Sequence, residues 1–131
     1  MMPDVPEQQL KEQPIKLVRH ENFESWYANN VQYHPSEWDL KLIFGELDWR
    51  DNSMLIQQHT AISVTWLQAK IMLYFLTIQV GVHEMSQGKI QIPPGVAPTE
   101  PPLPSGDLEN NPFAMQVHDY LKRMREQFMA P

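Results

Sequence analysis

The sequence contains no cysteine. Disulfides, thiolate metal ligation, iron–sulfur chemistry and thiol nucleophiles are all excluded by that absence. Cations are scarce as well: 10 basic residues face 16 acidic ones, for a formal charge of −6. A nucleic-acid footprint is built from lysine and arginine facing phosphates, and no segment of this chain is a basic stripe. Long apolar runs are also missing. The longest, Ile71 to Val82, is interrupted by Thr77, Gln79 and Gly81 and falls short of the roughly 20 residues a membrane span needs. The opening Met-Met-Pro-Asp-Val-Pro-Glu has no basic start followed by an apolar stretch, so it does not read as a signal peptide. With only 5 glycines the chain has neither a glycine-rich phosphate loop nor a G-x-S-x-G turn. These absences point to a cytoplasmic protein with no membrane partner and nucleic acid as a disfavoured one.

What is present is enough for one folded domain. Apolar residues make up 42% of the 131 positions, an ordinary globular share. Residues 1–22 are polar, carry Pro3, Pro6 and Pro14, and read as a flexible leader, with Ile15 to Val18 able to lie along the domain. Trp26 to Tyr33 is aromatic-rich and closes on His34-Pro35-Ser36, which predicts a strand entering a turn. Trp38, Leu40, Leu42 and Phe44 alternate with Asp39, Lys41 and Ile43, a period of two that predicts a second strand ending at Gly45. Asp48 to Ser53 supplies turn residues. A third strand follows, with Met54, Ile56, Ile62 and Val64 on one face beside Gln58 and Thr60.

Thr65 opens the strongest helix. Thr65 and Gln68 form a T-x-x-Q capping box, and Gly88 suits a left-handed terminator just past the end near Met85. The helix is apolar nearly all round, leaving a narrow polar edge at Gln68, Lys70, Thr77 and Gln79. A helix on one small sheet needs a single apolar stripe, so a second side must be covered. Lys89 to Ile92 suggests a short edge strand. Seven prolines between 93 and 112 then predict an extended, semi-rigid spacer. Asn111-Pro112 reads as an N-cap followed by proline at the first helical position. From there Phe113, Val117, Tyr120, Leu121, Met124 and Phe128 recur at helical spacing opposite Gln116, Asp119, Lys122, Arg123 and Glu126.

The expected architecture is therefore α+β: a three-stranded antiparallel sheet followed by one long helix, a proline-rich spacer and a short C-terminal amphipathic helix. The boundaries are a leader over 1–22, a β-β-β-α domain over 23–92, the spacer over 93–111 and the terminal helix over 112–131. Tyr27-Ala28-Asn29-Asn30-Val31, Trp38-Asp39-Leu40 with Ile43-Phe44-Gly45-Glu46, and Trp66-Leu67-Gln68-Ala69-Lys70 resemble the bacterial family catalogued as domain of unknown function 3467, over about residues 26–92. That resemblance implies a compact strand–strand–strand–helix unit and carries no catalytic residue.

Association is the function these features favour. A folded unit of about 70 residues barely sustains a core of its own, and three strands leave sheet edges unpaired. Covering the surplus of two or three large side chains on the long helix contributes on the order of 5 kcal/mol. Trp66, Ile71, Leu73, Tyr74, Phe75 and Ile78 are the candidate self-association residues, with a homodimer as the simplest assembly. The terminal helix, through Phe113, Val117, Tyr120, Leu121, Met124 and Phe128, either folds back over the long helix or docks on a protein partner.

Other chemistries are weaker. Five histidines, His20, His34, His59, His83 and His118, form no H-x-H or H-E-x-x-H motif, and only His34 with His59, on strands that would be adjacent, suggest a two-histidine metal site. The acids Glu37, Asp39, Glu46, Asp48 and Asp51 cluster about the second strand and its turn, where solvated acids are common. Asn29 and Asn30 suit a bulge or turn better than a ligand contact. The serines have no triad setting, so no enzyme activity, cofactor or metal is expected. Trp26, Tyr27, Tyr33 and Trp49 offer stacking surfaces for single-stranded nucleic acid, the alternative function, but Lys41, Arg50, Lys70 and Lys89 are too few to line a phosphate groove.

Overall fold

A computed structural model describes residues 14–50 and 52–131. The fold is α+β, in the expected order: β1 (Asn30–Pro35), β2 (Asp39–Arg50), β3 (Ser53–Thr65), α1 (Trp66–Gln87), 3-10 turns at Pro94–Val96 and Gly106–Leu108, and α2 (Pro112–Met129). The chain forms two compact units, one reaching to Tyr74 and the other starting at Phe75.

In the first unit the three strands are antiparallel in the order β1-β2-β3. Aromatic content predicts β1 over 26–33, but the ladder starts at Asn30, because Asn29 ends it. The Asn29 N–H donates to the Gly45 carbonyl at 3.1 Å, and its side-chain oxygen accepts from Leu47 N–H at 2.6 Å, standing in for the next backbone partner. Trp38 falls in the turn before β2, with its N–H donated to Ser36 Oγ, so it is not part of the sheet face its spacing suggests. Ile15, Leu17 and Val18 are almost fully exposed and do not lie along the domain.

The largest departure lies at Gly45, the expected end of the second strand. β2 runs through Gly45 to Arg50 and β3 begins at Ser53, so Asp48, Trp49, Arg50 and Ser53 of the expected turn lie in strands, with Asn52 at φ 62°. Asp51 lies outside the described residues. The register slips between Phe44 and Gly45, leaving His59 as the extra residue of a β-bulge in β3. A Cβ on Gly45 would lie 2.7 Å from the Gln57 carbonyl oxygen, so glycine is required by close backbone approach. Gly45→Ala is expected to destabilise the fold by about 1–3 kcal/mol, read as a lower midpoint in chemical denaturation; an unchanged midpoint contradicts the close approach.

The bulge also corrects the reading of β3's faces. Ile62 and Val64 oppose Leu42 and Leu40, whereas Ile56 and Met54 oppose Leu47 and Trp49. Positions 40 and 42 of β2 point to one side and 47 and 49 to the other. The four apolar residues of β3 therefore occupy both faces. Beyond Gly45 no third strand joins the hairpin among the described residues, and it presents Leu47, Trp49, Met54 and Ile56 on one side of a two-stranded arm.

α1 begins as its signals predict: Thr65 Oγ1 accepts from Gln68 N–H at 3.1 Å. The Trp66 indole N–H reaches back to the Ser36 carbonyl at 2.9 Å, tying the helix start to the β1–β2 turn. At the other end Gly88 adopts φ 89° and donates to the Glu84 carbonyl, a left-handed cap. Lys89 to Ile92 is not a strand. The Ile90 N–H is taken by the Glu84 carboxylate at 2.8 Å, and the Lys89 ammonium caps the Ala130 carbonyl.

Candidate self-association surface

Among the described residues the only buried hydrophobic side chain is Leu42, 5% exposed, and no large side chain is fully buried. No residue of α1 is buried. The six candidate residues, Trp66, Ile71, Leu73, Tyr74, Phe75 and Ile78, all lie on α1 and are all substantially exposed, Leu73 at 66%. On a helix of 3.6 residues per turn, Leu67, Ile71, Ile78 and Val82 form one apolar ridge, while Leu73, Leu76 and Val80 lie on the opposite side. Leu76, Thr77, Val80, Gly81 and Glu84 line an open concavity on α1. Nothing lies within 4 Å of where a Gly81 Cβ would stand, which leaves a notch for a close-packing partner.

The proline segment does not act as a free spacer. Pro98 accepts from Arg125 Nε at 2.9 Å, Arg125 Nη1 lies 3.8 Å from Glu100, and the Pro102 carbonyl accepts from His118 Nδ1 at 3.1 Å. Four residues of extended polyproline chain rise roughly 12 Å, and the seven from His118 to Arg125 rise roughly 10 Å as helix. The near match of the two spacings lets the segment run antiparallel along α2. The N-terminus of α2 is capped as its sequence predicts, with Asn111 Oδ1 accepting from Phe113 and Ala114 N–H at 2.9 and 3.1 Å. Ala114, His118 and Arg125, the half-buried positions, form the flank that meets the prolines. The apolar arc beside that flank, Phe113, Val117, Tyr120, Leu121, Met124 and Phe128, stays exposed. Sequence reasoning missed Arg125 and His118 as clamps. Their one signal is a position at the border of the polar and apolar arcs.

The histidine pair does not come together. β2 separates β1 from β3, and His34 stands in register with Lys41 and, beyond it, Ser63. His59 is fully engaged: its ring stacks on Trp26 at 4.8 Å and 18°, Nε2 lies 2.9 Å from the Tyr27 carbonyl, and Nδ1 lies 2.7 Å from Thr60 Oγ1. A carbonyl only accepts, so Nε2 donates to Tyr27, while Nδ1 is taken by the Thr60 hydroxyl. Neither ring nitrogen is open to a metal. Of the acids, Asp39 accepts from Ser36 Oγ at 2.9 Å and Asp48 lies 3.6 Å from Arg50; both belong to turn and arm. Trp26, Tyr27, Tyr33 and Trp49 are exposed but spread over different elements, with Trp26 committed to His59. No helix among the described residues is long and apolar enough to cross a membrane. No family model, curated protein or solved structure matches the chain.

Proposed function

We propose that the chain is a homo-oligomeric interaction module, a dimer in its simplest form, with α1 as the self-association helix and α2 as a docking helix for a protein partner. The observation that carries this reading is the exposure of every large apolar side chain on α1 except the half-buried Met72, beside a single buried hydrophobic residue in the sheet among the described residues. Folding is driven by removal of apolar area from water, and one buried leucine does not offset the conformational entropy of ordering these strands and helices. The resemblance to the domain of unknown function 3467 family belongs to the same reading and adds no activity to it.

Light scattering coupled to size exclusion tests the proposal on the full chain and on a chain truncated before Ser105. Both are expected to run as oligomers, since the association is assigned to α1. A monomeric full chain overturns it. An oligomeric full chain with a monomeric truncation moves the self-association from α1 to α2.

A further inference from the structure

The geometry points to the outer edge of β3 as the strand-pairing interface between two copies, joined antiparallel about a two-fold axis into one six-stranded sheet. This rests on the reading that the chain self-associates, and it adds a strand-to-strand contact to the one assigned to α1. Among the described residues no strand pairs with the outer side of β3. Exposed edges are normally protected by charge, proline, shortness or a bulge, and of these β3 has only the bulge at His59. Its 13 residues, Ser-Met-Leu-Ile-Gln-Gln-His-Thr-Ala-Ile-Ser-Val-Thr, include no lysine, arginine, aspartate, glutamate or proline. The neighbouring β2, whose two edges are both paired at its base, carries Asp39, Lys41, Glu46, Asp48 and Arg50. In a chain of net charge −6, the longest strand thus carries no acidic residue, lysine or arginine, and its outer edge is unpaired among the described residues.

Two observations make a second copy the occupant. An uncharged strand meets its own copy without like-charge repulsion, which an assembly of two acidic chains otherwise has to absorb. Pairing β3 with β3 also closes the assembly. The margins of the six-stranded sheet become the two β1 strands, each of only six residues and ending at Pro35, whose missing N–H cannot extend a ladder. An isologous contact of this kind stops at two.

The absence of cysteine makes the test clean. Single cysteines are introduced one at a time from Met54 to Val64, with Glu109→Cys, before α2, as a control, and each sample is oxidised and also examined by light scattering. A disulfide needs Cα atoms about 4.4–6.8 Å apart, so only residues at the two-fold axis meet their own copies, and covalent dimer should rise on the order of tenfold there over Glu109→Cys, falling off on both sides. A flat profile along β3 in samples that scatter as dimers overturns the strand pairing and leaves self-association standing. Monomeric scattering throughout overturns both.

Discussion

Ile71→Glu combined with Ile78→Glu is expected to dissolve the oligomer while leaving each chain helical. The two isoleucines lie seven residues apart on the ridge that Leu67 and Val82 extend, and each is about two-fifths exposed. In the proposed assembly that exposed part is covered by the other copy. The double substitution removes the covering contact and strands carboxylates in an apolar interface, a cost of several kcal/mol. At about 1.4 kcal/mol per tenfold, the dissociation constant should rise on the order of a thousandfold, measured by light scattering over a dilution series. Glutamate is a good helix former, so far-ultraviolet circular dichroism should retain its helical bands at high concentration. An unchanged dissociation constant removes α1 from the interface.

The second large effect requires no substitution. A chain that buries only Leu42 among the large hydrophobic residues described has its stability tied to assembly, and the stability of an obligate oligomer depends on protomer concentration. For a dimer, each tenfold rise in concentration adds about 1.4 kcal/mol, or about 3–6 °C in the unfolding midpoint of a pair of this total size. Thermal melts from low to high micromolar concentration should move accordingly. A midpoint that ignores concentration means that the chain folds as a single copy.

The elements and their ends were legible in the sequence wherever the cause was local. Thr65 at the start of α1, Gly88 at its end, and Asn111-Pro112 at the start of α2 act within four residues of their own backbone, and each forms the cap its type predicts. The excess of apolar residues on α1 was visible for a similar reason: a helix periodicity states how many faces need cover, whatever covers them.

The strand details were not legible, since they depend on partners far along the chain. Asn29 ends β1 through Leu47, eighteen residues on, and Gly45 continues β2 because Gln57 approaches it closely across the hairpin. One trace of the bulge was present: apart from Ile43, the apolar residues of β2 are even-numbered through Phe44 and odd-numbered from Leu47. The switch marks a change of face, and the even spacing of β3 conceals it because His59 absorbs the extra residue. The clamp of Arg125 and His118 on Pro98 and Pro102 was hidden likewise, since a matched rise between a polyproline segment and a helix exists only once the two lie side by side.

By itself the sequence determined the order of elements, their caps and the surplus of apolar surface, because these follow from backbone chemistry and side-chain periodicity over a few residues. Tertiary structure alone decided that β3 is a long uncharged edge, that its apolar residues divide between two faces, and that the proline segment runs along α2. Each of those outcomes is set by which distant segments pair and in what register, and a one-residue slip in register exchanges one face of a sheet for the other.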